Sequence, residues 1–263
     1  MKLTTLMENT ACVPGLTAEH GLSLFVEAAG RTFLFDAGQS GAFADNAARL
    51  GVDLSAAEFA ILSHGHYDHG GGMHRFLQEN DQAPVYASRH CFDDCRNASG
   101  KYIGLDSALR DCPRLILTGD EHPIGPGLTL FSCSDLPHRA DPFGLTRMEQ
   151  GILRPDDFRH EQYLLIEEAG TRILLTGCSH KGVVQLAERF RPDILVGGFH
   201  FKSLDPADPR LRTFGEALAR FDCTYYTGHC TGESQFSVLK TILGSRLEAI
   251  STGFVLEIPQ TTV

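Results

Sequence analysis

The sequence predicts an α/β fold that is built from two similar halves. Residues 23–38 (SLFVEAAGRTFLFDAG) resemble residues 163–178 (YLLIEEAGTRILLTGC), and each segment has two apolar runs around an Ala-Gly turn. This pattern is typical of a β-hairpin. A helix-like stretch, a short apolar strand and a histidine-containing loop follow each hairpin in the same order, which indicates a repeated unit rather than a chance match.

The elements after each hairpin correspond in pairs. The stretches 41–50 (GAFADNAARL) and 182–190 (GVVQLAERF) have the spacing of apolar residues that predicts an amphipathic helix. Next, FAILSHGH (59–66) matches DILVGGFH (193–200), and both predict a buried strand followed by a loop that ends in a histidine. His200 is therefore the repeat partner of His66, and we expect both at the same edge of the fold.

The repeat continues to the end of each half. The segment VYASRHC (85–91) parallels TYYTGHC (224–230), and each predicts a strand that ends in His-Cys. Since the halves are joined without a linker or low-complexity segment, we expect one domain over residues 1–263.

The region between the halves carries one long polar stretch. Residues 134–161 are polar and are interrupted by Pro137, Pro142 and Pro155. This composition predicts a long loop, which either covers a site or is a plain surface excursion.

Composition and charge exclude several classes of protein. The 263 residues are 42% hydrophobic and 21% charged, so a large core is available and general disorder is excluded. The formal net charge of -10 argues against a nucleic-acid scaffold. There is no apolar run of about 18 residues, so no membrane span is expected. The N-terminus has no apolar stretch of signal-peptide length, so we expect a cytoplasmic protein.

The eight cysteines are dispersed along the chain, and none forms a CxxC pair. In a large chain with no signal peptide, this favours reduced thiols over disulfides. It also argues against a structural zinc ribbon.

The strongest local signal is the loop that follows the apolar strand at 59–62. His64, His66, Asp68 and His69 lie within six residues, and three glycines follow them. A tight loop allows these side chains to converge. Imidazole and carboxylate groups suit zinc, iron or manganese, so the loop predicts a metal site.

These residues also carry a family resemblance. The HxHxDH pattern of this loop resembles the metal-binding motif of the metallo-β-lactamase superfamily, and Phe35-Asp36-Ala37-Gly38 resembles its early FDxG element. The resemblance covers nearly the whole chain. It implies a four-layer αββα sandwich, in which two mixed sheets pack together between helices.

Three later motifs resemble a narrower branch. TGCSH (176–180), GGFH (197–200) and TGHCTG (227–232) are similar to the dihydropterin-ribofuranosyl-aminobenzene-phosphate synthase-like members, which are commonly labelled metal-dependent hydrolases.

The resemblance implies two divalent metal ions, with zinc expected and iron or manganese as alternatives. His64 and His66 would bind one ion, Asp68 and His69 the other, and His229 matches the last histidine ligand. Two ligand positions have alternatives. His180 is taken as the remaining histidine ligand, with His160 as its rival and Glu161 as a lesser candidate. Cys178 stands where many members carry an aspartate, so it is either a thiolate ligand or a small buried residue.

The resemblance further implies a metal-dependent hydrolase that uses a metal-bound hydroxide on a small ester, phosphoester or related substrate. Asp68 would orient the nucleophile, and His200 would face the substrate as a proton donor or oxyanion contact. The first alternative is a transferase that joins a dihydropterin diphosphate to an aminobenzene ribosyl phosphate. The second is a non-enzymatic or redox metal protein. In the enzyme cases the partner is a small molecule, phosphorylated or pterin-like, and neither nucleic acid nor a membrane.

Overall fold

The structure is a computed structural model that describes residues 1–136 and 144–259. Within these ranges the chain forms two seven-stranded sheets and a three-stranded sheet, flanked by helices. The strands are β1 Lys2–Met7, β2 Ser23–Ala28, β3 Arg31–Phe35, β4 Phe59–Ile61, β5 Val85–Ser88, β6 Asp94–Arg96, β7 Leu115–Thr118, β8 Glu121–Gly125, β9 Leu128–Phe131, β10 Thr146–Glu149, β11 Ile152–Pro155, β12 Tyr163–Glu168, β13 Thr171–Leu175, β14 Ile194–Val196, β15 Thr224–Thr227, β16 Leu247–Ala249 and β17 Val255–Glu257. The α-helices are α1 Ala42–Leu50, α2 Tyr67–Gly70, α3 Met73–Glu79, α4 Val183–Phe190, α5 Pro209–Leu218 and α6 Glu233–Leu243.

The two large sheets have the same sequence of parallel and antiparallel pairs and differ in the chain position of one edge strand, which is β17 in the first sheet and β8 in the second. The first sheet has the order β17-β1-β2-β3-β4-β5-β7, and the second has the order β8-β9-β12-β13-β14-β15-β16. In each sheet the hairpin pair is antiparallel, and the three strands that follow it are parallel. The predicted repeat of two similar halves is therefore confirmed strand by strand.

The layers are held together by three apolar clusters. Between the sheets, buried residues of the first sheet such as Phe33 and Phe35 meet Leu164 and Leu175 of the second. A second cluster packs α1 and α3 on the outer face of the first sheet, and a third packs α4, α5 and α6 on the outer face of the second. This is the expected αββα sandwich. Burial of such large apolar side chains contributes about 1.5–3 kcal/mol each.

The polar region before the second half differs from the expected long loop. The strands β10 and β11 form a hairpin there, and β10 also pairs with β6. The polar and charged residues of β10 and β11 gave no alternating apolar pattern, and Ile152 and Leu153 are exposed. Pro155 ends the edge strand β11, a position where a missing N–H is tolerated. Pro137 and Pro142 lie outside the described residues.

No helix within residues 1–136 and 144–259 is both long and apolar enough to cross a membrane.

Candidate metal centre

The predicted ligand residues come from loops at one edge of the two sheets. Parallel strands end there, and residues that follow the carboxyl ends of such strands lie close together. Asp36 follows β3, the His64–His69 loop follows β4, Cys178 follows β13, and His229 follows β15. The two halves of the repeat therefore contribute to one site from both sheets.

Asp36 and His69 form the most tightly defined pair in the site. His69 Nδ1 donates to Asp36 Oδ2 at 2.6 Å, and both side chains are 0% exposed. Burial lowers the pKa of His69, but the charge and hydrogen bond of Asp36 offset this and raise the pKa to about 9. The carboxylate fixes the ring so that Nε2 faces the centre, as in the carboxylate–histidine pairs of metal sites.

Asp36 also organises His64 through a serine. The backbone N–H and the hydroxyl of Ser63 both donate to the Asp36 carboxylate, each at 2.7 Å. Since the Ser63 hydroxyl donates to Asp36, its oxygen accepts from His64 Nδ1, at 2.8 Å. This leaves His64 Nε2 facing the centre, where it is buried and has no hydrogen-bond partner among the described residues.

His229, in the second half of the repeat, is also held by hydrogen bonds to neighbouring polar side chains. Its Nδ1 donates to Asn9 Oδ1 at 3.0 Å, and its backbone N–H donates to Glu8. Its Nε2 lies 3.2 Å from His69 Nε2. Two imidazoles from different halves thus direct the same nitrogen to one point.

His66 and His180 supply nitrogen atoms that the described protein leaves unsatisfied. Nε2 of His66 and both ring nitrogens of His180 are buried without a hydrogen-bond partner in residues 1–136 and 144–259. The two rings lie 5.0 Å apart, and the His180 ring is also 5.0 Å from that of His64. Burial lowers the pKa of His66 to about 3 and lowers that of His180 well below its usual value, so both rings are neutral, as metal ligands must be.

Both ring nitrogens of the rival ligand, His160, contact polar groups of the protein. Its Nδ1 accepts the N–H of Gly65 at 3.2 Å, and its Nε2 lies 3.2 Å from Asp156 Oδ2. Since the Asp156 carboxylate can only accept, His160 Nε2 donates to it. Both nitrogens are therefore used. His66, Cys95, Asp156 and His160 still form a buried group with ligand atoms within 4.8 Å of one another. The hydrogen bonds indicate that this group supports the His64–His66 loop.

Glu161 anchors the loop that carries His180. Its carboxylate accepts the backbone N–H groups of His180, at 2.9 Å, and of Lys181, at 3.1 Å. The Tyr163 hydroxyl also donates to it. Burial raises the pKa of this carboxyl. Through these contacts the Glu161 carboxylate positions the turn at His180 and Lys181.

Asp68 lies between two imidazoles. Its Oδ2 is 3.1 Å from His20 Nε2 and 3.3 Å from His229 Nε2, and the rings of His20 and His229 stack at 4.7 Å. Burial raises the pKa of Asp68, but the hydrogen bonds from these histidines outweigh it and hold the pKa well below its usual range. Asp68 is thus an anion that is placed to bind a cation with His229.

Cys178 lies where the groups of candidate ligands meet. Its Sγ is 3.2 Å from His69 Nε2. It belongs to a group with His69 and His229 and to a group with His64 and His180, in each of which the ligand atoms lie within 4.8 Å of one another. Burial raises the pKa of the thiol well above its usual value, so a bound cation is what would deprotonate it.

His200 lies at the expected edge of the site. Its ring is 4.2 Å from that of His180, and one of its nitrogens lies within 4.8 Å of the sulfur atoms of Cys178 and Cys230. The side chain is partly exposed. His200 thus lies beside His180, at the edge that the repeat predicts, whereas the repeat gave no indication of the two thiols.

The sequence pattern missed the residues that orient the ligands. Asp36 was seen only as part of the FDxG element, and Ser63 only as the start of the histidine motif. Asn9 and His20 lie outside every motif, and no spacing connects them to His229. The one available signal was Asp36, a charged residue directly after an apolar strand.

The arrangement fits divalent cations. An unsatisfied buried polar atom costs about 1–3 kcal/mol, and the orphaned nitrogens of His64, His66 and His180 would each be satisfied by one cation. The donors are imidazoles, a carboxylate and a thiol, which suit zinc, iron or another transition metal better than magnesium or calcium.

Comparison with known proteins agrees with the architecture. Residues 16–180 match the sequence model described as "Metallo-beta-lactamase superfamily". The chain is 27% identical over 237 residues to the uncharacterized protein MJ0448 of Methanocaldococcus jannaschii, with 86% of this chain and 89% of that protein covered.

Two further relatives have functional descriptions. The 7,8-dihydropterin-6-methyl-4-(beta-D-ribofuranosyl)-aminobenzene-5'-phosphate synthase of M. jannaschii is 26% identical over 263 residues, and 88% of each chain is covered. The crystal structure of Tm1679, described as a metal-dependent hydrolase of the beta-lactamase superfamily, superposes with a TM-score of 0.83 at 27% identity. It covers 98% of this chain and 99% of that one.

Proposed function

This chain belongs to the metallo-beta-lactamase superfamily, and we propose that it is a hydrolase that depends on two divalent cations and acts on a small ester, phosphoester or related substrate. One observation carries the proposal: buried imidazole nitrogens from both halves converge without protein partners. The similarity to Tm1679 over the whole chain supports a hydrolase.

The ligands divide into two groups. His64, His66 and His180 would hold the first cation, because each has a buried ring nitrogen without a partner in the described residues and the His180 ring lies 5.0 Å from each of the other two. The second cation would lie where His69 and His229 direct their Nε2 atoms, next to one carboxylate oxygen and one sulfur. Its proposed ligands are Asp68, His69, Cys178 and His229.

Asp68 would assist the attack of water on an ester or phosphoester at this site. When bound, two divalent ions lower the pKa of a water from ~15.7 toward ~7 and polarise the attacked oxygen. The low pKa of Asp68 makes it a poor general base. It would therefore accept a hydrogen bond and orient the water rather than remove its proton.

The support around the ligands limits their movement. Asp36 holds both His69 and the loop at Ser63, and Asn9 holds His229. Such outer contacts keep ligand nitrogens within the small tolerance that metal catalysis requires.

The test is hydrolysis of a panel of chromogenic carboxylic esters, phosphomonoesters and phosphodiesters by the purified protein. We expect turnover of at least one class, loss of turnover on treatment with a chelator, and recovery with zinc, manganese or iron. His180→Ala should lose both activity and bound metal. His74→Ala is the matched control, because His74 is exposed and pairs with Asp106 away from the centre. Activity that survives complete removal of metal would exclude the proposal.

A second candidate function is supported by the relative named as a synthase. In that case the same cations would stabilise a diphosphate leaving group while an arylamine attacks. Incubation with a dihydropterin diphosphate and an aminobenzene ribosyl phosphate distinguishes the two. Condensed product without prior hydrolysis favours transfer, whereas hydrolysis alone favours the first proposal.

A further inference from the structure

We propose that Cys178, His200 and Cys230 form a further metal position, next to the two described above, for a thiophilic divalent cation such as zinc. The inference rests on the proposed function in one respect, namely that Cys178 is shared with the second cation. No part of the sequence analysis identified Cys230 as a ligand.

The three residues are brought together by adjacent parallel strands. Cys178 follows β13, His200 follows β14 and Cys230 follows β15, and these strands are hydrogen-bonded neighbours. The two sulfur atoms and one nitrogen of His200 all lie within 4.8 Å of one another. Small side-chain rotations would bring them to the bond lengths of zinc, about 2.3 Å to sulfur and about 2.0–2.1 Å to nitrogen.

A glycine leaves the space that the Cys230 sulfur occupies. A Cβ atom at Gly198 would lie 2.3 Å from Cys230 Sγ, which is too close for any other residue. The N–H of Gly198 donates to the carbonyl of Gly177 at 2.8 Å, so this loop also lies against the turn that carries Cys178. The close packing therefore fixes both sulfur atoms relative to each other.

The three residues differ in solvent exposure from an isolated buried cysteine, because one of them reaches the edge of the site. Cys178 is 3% exposed and Cys230 is 4% exposed, while His200 is partly exposed at the edge of the site. A cation could therefore enter from the His200 side and be bound by sulfur atoms from within. Two thiolates and one imidazole with a fourth position open to solvent is an established zinc ligand set.

The donor set differs from that of the proposed catalytic positions. It contains no carboxylate, and thiolates select zinc or other soft ions over manganese and magnesium. Cys178 would bridge this cation to the one held by Asp68, His69 and His229. Each thiol releases its proton as it binds.

As a metal ligand, His200 could not also be the proton donor that the sequence predicts. A ring nitrogen bound to a cation cannot deliver a proton, so the two roles predict different effects of the same substitution. As a ligand, His200 is needed for the number of bound ions. As a proton donor, it is needed for turnover alone.

The experiment is metal quantification by mass spectrometry on protein loaded with excess zinc and freed of unbound ion. We expect Cys230→Ala and His200→Ala each to bind one ion fewer per chain than the wild type. Cys223→Ala is the matched control and should bind as many ions as the wild type, because Cys223 is also buried but belongs to none of the candidate ligand groups in the described residues. Cobalt-loaded protein provides a second readout. Cys230→Ala should show weaker thiolate-to-cobalt absorption than the wild type, because Cys178 is then the one proposed thiolate ligand that remains. Cys223→Ala should retain the full absorption.

Unchanged metal content and unchanged cobalt spectra in both Cys230→Ala and His200→Ala would overturn the inference. Circular dichroism and the isosteric variant Cys230→Ser separate a folding defect from the loss of a ligand. The proposed function is tested independently, because His64→Ala should lose an ion whether or not the further position exists. Loss of ions in His64→Ala but not in Cys230→Ala would leave the hydrolase proposal standing and remove this one.

Discussion

Cys178 Sγ lies 3.2 Å from Nε2 of His69, at the point where ligands from the two halves of the repeat meet. This thiol stands where many superfamily members carry an aspartate. It places a soft donor beside an imidazole that Asp36 holds from the opposite side. We therefore expect the second metal position to prefer thiophilic ions.

Substitution of Cys178 by Ser should weaken this position. A serine hydroxyl is a much poorer ligand than a thiolate, since it is not deprotonated as readily by the cation. We expect the near-ultraviolet thiolate absorption of cobalt-loaded Cys178→Ser to fall, with Cys230 as the one proposed thiolate ligand that remains. Cys91→Ser replaces a buried cysteine outside these ligand groups and should keep the full absorption. An unchanged spectrum in Cys178→Ser would show that the sulfur does not bind metal.

Substitution of Asp36 should lower metal affinity without removing a ligand. Loss of such an outer contact typically costs 10–100-fold, so about this loss is expected for Asp36→Asn. Competition with a chromophoric chelator measures it. Asp45→Asn is the control, because Asp45 is exposed on α1. Equal affinities of Asp36→Asn and the wild type would contradict an orienting role for the Asp36–His69 pair.

The choice between His180 and His160 is open to direct test. His160 uses both ring nitrogens in hydrogen bonds to the protein, whereas those of His180 have no partner in the described part of the chain. We expect His180→Ala to lose bound metal. His160→Ala should keep its metal content but unfold at a lower temperature, because Asp156 and the Gly65 N–H are left unsatisfied. Retained metal in His180→Ala with loss in His160→Ala would reverse the assignment.

The metal-free protein should be most stable near pH 6.5. The pKa of His66 is about 3 in the folded protein and ~6.5 in the unfolded chain. As pH falls below ~6.5, His66 therefore binds a proton in the unfolded chain but not in the folded protein, and the free energy of unfolding decreases. The pKa of His69 is about 9, so its contribution is complete below ~6.5 and is lost as pH rises toward that value. Each group changes the unfolding free energy by up to about 1.4 kcal/mol per pH unit.

Thermal unfolding of chelator-treated protein at acidic, near-neutral and alkaline pH checks this expectation. His66→Gln should make the acidic limb shallower without removing it, because burial also lowers the pKa of His180, and it should leave the alkaline limb in place. A stability that rises steadily from neutral to acidic pH would contradict neutral, buried imidazoles.

The sequence predicted the architecture well because its signals are local. The hairpin at 23–38 and its counterpart at 163–178 have strong apolar patterns with Ala-Gly turns, and the structure confirms both. The hairpin of β10 and β11 was missed, since its strands are polar and form a small separate sheet. Strand pairing of this kind depends on tertiary contacts rather than on periodicity.

The outer contacts of the site could not be predicted for a related reason. The spacing of His64, His66, Asp68 and His69 indicates metal ligands within a single loop. The contact between Asn9 and His229 joins opposite ends of the chain, and that between His20 and Asp68 joins separate loops. Neither has a sequence pattern, because each arises only when the two sheets pack together.

The most direct test of the metal centre is an anomalous-scattering map of crystals of the zinc-loaded protein. We expect one peak at about 2.0–2.1 Å from nitrogens of His64, His66 and His180, and a second at the same distance from His69 and His229 with Asp68 beside it. A map without peaks among these side chains, in crystals that contain bound zinc elsewhere, would contradict the existence of the centre.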